Sequence, residues 1–480
     1  MTDRPSPRPD RPNVLVILSD QHRADLMGCA GRGDVPTPHI DRIADAGVRF
    51  RRAYCPYPVC AASRMSLLTG RWAHDHGVIR NTDTLDWRAR TVAHHFASAG
   101  YQTGLIGKMH FNDANTHGFG YHVSINDWLA YLGPKVRLYA NEIANHPIAP
   151  GFFDTVNDDG SGFPEMTDLW EGPSPWAGQV ERTGFDSMAS KMAAEDHLDA
   201  FLARQVVRFL RRHRDGPFFL VAAFMNPHPP FYPPAHCADR YPPGRTPLPP
   251  VGDVTGYPAH IQRRIKYFQD LGPERLRAHR AGYYGNLAFL DECVGIVLEA
   301  LAGLGLADDT LLVYASDHGE MDGDHGLYQK FCLFEPAVRV PLIVSWPGRL
   351  PRGRTCDALT QYAGLYATLA ELTGTAPAGG AEIAGFADRC LDPDAPGPEA
   401  VFAEYDIRSP LCQYMVRTDR FKYVHNDGGS GDELYDHHAD PDETVNLAED
   451  PAHRGVRDEM HERLIAWYEP LSNPHRPPRT

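Results

Sequence analysis

Two strand-like apolar runs in this sequence each end in a pair of residues suited to binding a cation. Asp20-Gln21 follows Val14-Leu-Val-Ile-Leu18, and Asp317-His318 follows the run Leu311 to Ser316. Carboxylates, an amide and an imidazole converging from parallel strands would match a divalent metal such as calcium or manganese. Taken singly, each pair reads more simply as a helix cap or turn former. Between them lies Cys60-Ala-Ala-Ser-Arg64-Met-Ser-Leu-Leu-Thr-Gly-Arg71. A cysteine that opens an apolar helix meets the positive end of the helix dipole, where amide donors favour a nucleophile or an anion. Arg64, four residues on, falls on the same face one turn along. The plainer alternative is a buried cysteine capping an ordinary helix.

Other residues carry chemistry only in company. Lys108, His110, His228 and Lys330, each considered alone, are solvated lysines and ordinary loop or core histidines. His74 and His76 flank Asp75 in a metal-like group but suit a supporting role behind a site. Asp83 and Asp86 read as loop residues rather than as an acid and base pair. Glu404 and Asp406, at the end of a late strand, are candidates to reach over a pocket.

These residues need a scaffold that gathers strand ends. The continuously apolar run at residues 14–18 suits a central parallel strand buried on both faces. Thr37-Pro38 starts a helix that Gly47 closes. Further along, the pattern predicts a helix over 92–99, a strand over 102–106, a helix within 198–212 and a strand over 218–224. A long helix over about 283–302 and the strand 311–316 follow. Helices alternating with buried strands imply an α/β layered sheet, with chemistry at the carboxyl ends of its strands. Residues 121–194 and 227–257 lack periodicity and read as long surface loops whose aromatics could wall a substrate. We expect a catalytic α/β domain over 1–375, a linker or insertion over 376–398, and a small α+β domain over 399–480 with strands near 401–404, 413–418 and 421–425 and a helix near 454–467.

At 480 residues the chain is long enough for two cores, and no apolar stretch approaches the roughly 20 residues of a membrane span. The net charge of −15 argues against a nucleic-acid surface, so an anionic substrate must find a local cationic pocket. Nine cysteines without a CxxC pair read as free thiols, and residues 2–12 lack the apolar core of a signal peptide; both point to the cytoplasm.

The segment from Cys60 to Arg71 resembles the signature of the formylglycine-dependent sulfatases, a branch of the alkaline phosphatase superfamily, whose cysteine is oxidised after translation. Ala62 stands where the family usually has proline; members matured by radical enzymes carry alanine there. Ser316-Asp-His-Gly-Glu-Met-Asp-Gly-Asp-His-Gly-Leu-Tyr-Gln-Lys330, Gly107-Lys-Met-His110 and Asn226-Pro-His228-Pro-Pro-Phe231 resemble further family motifs. So do Arg417 to Tyr423, Glu433 to Asp436 and Asn446-Leu447 near the C-terminus.

The resemblance implies an alkaline phosphatase-like layered sheet flanked by helices. It also implies a metal, calcium before manganese, held by Asp20, Gln21, Asp317, His318 and the formylglycine derived from Cys60. Formylglycine would be hydrated to a diol with one nucleophilic hydroxyl, Arg64, Lys108 and Lys330 would bind sulfuryl oxygens, and Asn81 has a family precedent as a pocket residue. His228 would protonate the departing alcohol, and His110 would deprotonate the second hydroxyl so that sulfate leaves and the aldehyde re-forms. The implied partners are a small sulfate ester and a formylglycine-generating or radical maturation enzyme, with a homo-oligomer compatible. The nearest rival is a phosphonate monoester or phosphodiester hydrolase of the same superfamily, which the stretch Asn81-Thr82 to Leu85-Asp86 resembles. Lys108-x-His110 speaks for a sulfatase. A second rival is a non-catalytic anion binder in which Cys60 stays a thiol.

Overall fold

Alternation within the first strand sets the layers of the molecule. Val14, Val16 and Leu18 point into one hydrophobic cluster and Leu15 and Ile17 into another, so the strand is covered on both faces. The computed structural model describes residues 11–138, 189–375, 381–409, 412–427 and 431–468. Its strands in chain order are β1 (Asn13–Asp20), β2 (Val48–Phe50), β3 (Ala53–Tyr54), β4 (Gln102–Gly107), β5 (Tyr121–Val123), β6 (Phe218–Pro227), β7 (Thr310–Ser316) and β8 (Leu342–Ser345). They continue as β9 (Arg354–Cys356), β10 (Thr360–Gln361), β11 (Val401–Tyr405), β12 (Gln413–Arg417), β13 (Phe421–Asn426) and β14 (Glu433–Asp436).

Eight strands form one sheet in the order β5-β4-β6-β1-β7-β8-β2-β9. β5, β4, β6, β1 and β7 run parallel, while β8 is antiparallel to both of its neighbours. The helices Pro38–Asp45, Leu198–His213 and Pro273–Gly303 supply apolar residues to one cluster, and Cys60–Thr69, Val92–Ser98 and Leu365–Leu372 to the other. The fold is thus a mixed α/β layered sheet flanked by helices, as the alternating pattern predicts. β11 to β14 form a separate antiparallel sheet, followed by the helix Arg454–Tyr468. Among the described residues no helix is long and apolar enough to cross a membrane.

Two stretches differ from the sequence reading. Residues 121–138 are not loop: they hold β5 and the helix Ile125–Leu132, where Trp128 is buried and donates from Nε1 to the Asp196 carbonyl at 2.7 Å. Ile125, Trp128, Leu129 and Leu132 do lie at helical spacing, but the run is too short to stand out beside so much Gly and Pro. Residues 139–188 of that expected loop lie outside the described residues. In the expected linker, residues 381–398 contain the helix Ala387–Leu391, and Phe386 and Cys390 sit in the main core. Three scattered apolar anchors, Ile383 among them, outweigh the Ala, Gly and Pro composition there.

Candidate active site

Strand register gathers the site. β1 lies between β6 and β7, with Asp20 opposite Pro227 and Ser19 opposite Ser316. Asp20-Gln21, Asp317-His318 and His228 therefore leave three adjacent strands at one edge. β4 pairs with β6 on its other side, with Gly107 opposite Ala223, which brings Lys108 and His110 to the same edge. Gly107 has φ of 105°, and a Cβ there would lie 2.0 Å from the Ala223 carbonyl oxygen, so only glycine lets the chain turn inward at this point. Gln21 and His110 are left-handed at φ of 66° and 69°, a conformation that costs a non-glycine residue on the order of 1 kcal/mol or more. Such strain beyond the ends of β1 and β4, the two strands that flank β6, marks side chains whose direction matters.

Cys60 opens the helix Cys60–Thr69, all ten residues of which are buried. Its polar members are enclosed with the rest, Ser63, Arg64, Ser66 and Thr69 each meeting an internal partner, and Gly70 ends the helix in the left-handed region at φ of 66°. Val59 offers no capping side chain, and the Asn81 Oδ1 accepts the Ala61 amide instead at 3.2 Å. The helix thus points its first turn, with Cys60, at the strand ends.

There Cys60 Sγ lies 3.2 Å from His318 Nε2, 3.4 Å from Lys330 Nζ and 3.7 Å from Asp20 Oδ1. Arg64 is fully buried, donating to Asp20 Oδ2 at 2.9 Å, to Asp317 Oδ2 at 2.7 Å and to the Lys108 carbonyl. Its fork aligns the two carboxylates rather than reaching into an opening. Lys108 Nζ meets Asp20 Oδ2 at 2.6 Å. Lys330 Nζ donates to Gln21 Oε1 at 2.6 Å and to His228 Nε2 at 3.0 Å, while His228 Nδ1 faces the Pro229 carbonyl at 2.6 Å. The inner carboxylate atoms, Asp20 Oδ1 and Asp317 Oδ1, stand 3.8 and 3.7 Å from His318 Nε2. One ligand atom from each of Asp20, Cys60, Asp317 and His318 lies within 4.8 Å of the others, a donor set that fits a divalent cation.

The electrostatics follow from this crowding. Burial opposes charge on Asp20, yet Lys108, His228, Arg64 and His318 together hold its carboxyl well below the usual range. Burial and Asp20 work against a Cys60 thiolate, and Lys108, Lys330 and His318 outweigh them, so the thiol is lowered. Burial and then Lys330 push His228 well down, and burial with Lys108 and Arg64 does the same to His110. His318 moves the other way: burial disfavours its proton, but Asp317 and the Cys60 sulfur raise it. The negative charge that draws a proton to His318 would draw a cation more strongly.

Several residues without a role in the sequence reading complete the site. Glu320 is buried and accepts from Gln21 Nε2, which leaves Gln21 Oε1 turned toward Lys330. Tyr283, on the long helix, donates to the Gln21 carbonyl at 2.8 Å. Arg264 donates to the carbonyls of Lys330 and Phe331 at 2.7 and 2.6 Å, fixing a loop in which Gln329 and Phe331 are both left-handed. Glu320 sits inside a family-like motif and was legible there; Tyr283 and Arg264 act through distant backbone and carry no local signal. Glu404 is buried and gives both oxygens to His74, at 3.0 and 2.7 Å, so it does not reach over the pocket. His76 meets Ser66 at 2.9 Å, and Asp83 and Asp86 accept nearby loop amides.

A buried cysteine, set among side chains able to hold a cation and beside three cationic side chains at the carboxyl edge of a parallel sheet, suits chemistry on an anionic ester. The chain belongs to the sulfatase family, which matches residues 12–375, and it is a sulfuric ester hydrolase. Residues 323–469 match the family described as N-sulphoglucosamine sulphohydrolase, C-terminal. An arylsulfatase of Clostridium perfringens is 27% identical over 466 residues, covering 95% of this chain and 94% of that protein. A choline-sulfatase of Rhizobium meliloti is 30% identical over 459 residues, covering 92% and 83%. Among solved structures, a phosphonate monoester hydrolase from Silicibacter pomeroyi superposes with a TM-score of 0.80 at 26% identity, covering 97% of this chain and 96% of that one.

Proposed function

We propose that the protein hydrolyses a sulfate monoester to an alcohol and inorganic sulfate, using formylglycine made from Cys60 and a divalent cation held by Asp20, Gln21, Asp317 and His318. The observation that carries this reading is the position of Cys60 Sγ, within 3.7 Å of a cation ligand, an imidazole and a lysine ammonium at once. Three oxygen donors and one nitrogen favour calcium, with manganese second. When bound, the cation would lower the pKa of a hydroxyl at position 60 and polarise a sulfuryl oxygen. Formylglycine, once hydrated, supplies one hydroxyl to attack sulfur and a second whose deprotonation lets sulfate depart as the aldehyde re-forms.

The remaining work falls to side chains already in place. Arg64 keeps both carboxylates aligned, and Lys108 and Lys330 bind sulfuryl oxygens. Fixed cations aimed at charge in transfer are worth several kcal/mol in a shielded site. His228 delivers a proton to the departing alcohol oxygen. Burial, and after it the Lys330 charge, depresses His228; an incoming sulfuryl anion would offset the second of these and so favour the protonated imidazole that a general acid needs. His110 takes the proton from the second hydroxyl, and its lowered pKa keeps it neutral until then. The same reading keeps the enzyme in the cytoplasm, where its nine free cysteines stay reduced.

A second reading, a phosphonate monoester or phosphodiester hydrolase, is favoured by the likeness to the Silicibacter pomeroyi enzyme. Lys108 and His110 separate the two. A sulfate monoester has one ester arm and leaves room for both side chains beside the cation, whereas a diester needs that room for its second arm. The test is a mass measurement of the Cys60 peptide joined to a substrate panel of aryl, choline and sugar sulfates with a phosphodiester and a phosphonate. We expect a peptide about 18 Da lighter than the cysteine form and the highest kcat/KM on a sulfate. Unmodified peptide from fully active enzyme overturns the mechanism, and a phosphodiester or phosphonate preferred over every sulfate overturns the substrate class.

A further inference from the structure

We propose that the chain whose Cys60 is still a thiol is a zinc protein: Cys60 Sγ, His318 Nε2, Asp20 Oδ1 and Asp317 Oδ1 form a four-ligand zinc site that a chain carrying formylglycine at position 60 cannot make. The inference rests on the cation reading of this cluster but not on formylglycine being formed. Zinc bonds of about 2.3 Å to sulfur and about 2.0–2.1 Å to nitrogen and oxygen give tetrahedral edges of about 3.3–3.6 Å. Four edges of the cage measure 3.2 Å (Cys60 to His318), 3.7 Å (Cys60 to Asp20), 3.8 Å (His318 to Asp20) and 3.7 Å (His318 to Asp317). These four edges are already close to those of a tetrahedral zinc site, and the remaining two lie within 4.8 Å.

The surroundings orient the four atoms toward one another. His318 Nδ1 lies 3.0 Å from the Gly319 carbonyl and donates to it, so Nε2 presents its lone pair to the cage, the tautomer a metal-ligating histidine needs. Arg64 and Lys108 all meet the outer Oδ2 atoms of Asp20 and Asp317, which turns the Oδ1 atoms inward. Asp317 Oδ1 also accepts the amides of Gln21 and His318, at 3.1 and 2.9 Å, and these fix its direction. Lys330 lies 3.4 Å from the sulfur, and Gln21 and His228 hold it by their own contacts. A thiolate and an imidazole select zinc over calcium or manganese. Replacing the sulfur by the oxygens of a hydrated aldehyde removes the soft ligand and returns the site to hard cations.

The experiment uses the full chain produced without a maturation enzyme, with peptide mass confirming the thiol at position 60, beside the Cys60→Ser variant. The thiol form should bind one equivalent of zinc at least 100-fold more tightly than Cys60→Ser. Cobalt substituted for zinc should show a sulfur-to-metal charge-transfer band that the serine variant lacks, and bound zinc should protect Cys60 from alkylation. Equal zinc affinity in the two proteins, or a cobalt spectrum without the sulfur band, overturns the proposal. These readouts need no turnover: if formylglycine never forms, the mechanism above fails while the zinc site is still tested.

Discussion

Two buried clusters in this protein each bring two carboxylates and a histidine together. Asp20, Asp317 and His318 do so at the strand ends, and Glu335, Glu443 and His437 do so where the C-terminal sheet meets the catalytic body. In the second cluster the Lys422 ammonium, on β13 and fully buried, sits 3.1 Å from Glu335 and 2.5 Å from Glu443. His437 adds a contact to Glu443 at 3.1 Å, and the Tyr54 hydroxyl donates to Glu335 at 3.0 Å. Lys422 supplies the positive charge internally, and the cluster becomes a staple between two parts of the chain. At the strand ends Arg64 and Lys108 meet the outer oxygens, and the inner ones face the Cys60 and His318 side of the cluster. Ligand types alone do not distinguish a metal centre from a structural ion cluster; the atom that a neighbouring cation occupies does.

The largest separation between the two regions should come from His228→Ala. Loss of a general acid lowers turnover by about 10²–10⁴-fold. The fall should be full for an alkyl sulfate and small for a nitrophenyl sulfate, whose departing oxygen needs no proton, while thermal stability hardly moves. A uniform loss across leaving groups would remove His228 from proton delivery. Lys422→Met tests the other cluster: removing the ammonium that both buried carboxylates share should destabilise the fold by about 3 kcal/mol, since Arg339, Arg417 and His437 still face them. The kcat/KM of the folded protein should be unchanged. Burial raises the Glu443 carboxyl, but Lys422 and His437 bring it down from its ordinary 4.5 to about 2. A depressed folded pKa contributes stability that is fully present above pH 4.5 and lost as pH falls through about 2. Lys422→Met should therefore move acid unfolding to higher pH, and a variant that instead lost turnover at full stability would reverse the comparison. The smallest effect is expected from Glu320→Gln, which no longer fixes the amide of Gln21. Cation affinity should drop about 10–100-fold with little change in unfolding, and unchanged affinity would leave Glu320 a purely structural group.

Much of the candidate site's assembly is legible in the sequence because its parts are local. Asp20-Gln21 and Asp317-His318 each follow a buried strand, and Cys60 and Arg64 share one helical turn, so short windows carry both residue type and direction. The layered sheet is legible for the same reason, since apolar runs and helical spacing repeat through the chain. What escapes is whatever depends on register between distant segments. Arg264 reaches the carbonyls of Lys330 and Phe331 from another helix, and Tyr283 reaches Gln21 from a helix more than 250 positions away. Glu404 looks like a residue at a pocket rim because it ends a strand, but its direction is set by His74, far away in sequence. The helix Ile125–Leu132 and the anchors Phe386 and Cys390 lie in composition that resembles loop, and only tertiary packing makes them core.

The burial of Cys60 bears on the order of events in the life of the chain. Its side chain is 1% exposed, at the start of a helix enclosed on every side. An oxidising enzyme would have to reach Cys60, and in the folded protein this helix is enclosed. Under the proposed chemistry, conversion therefore competes with folding in time. Each chain has one window, between synthesis and closure of the helix, in which to be modified. The active fraction is then fixed by two rates, and slowing the collapse of this helix should raise the yield of working enzyme without altering any residue that meets substrate.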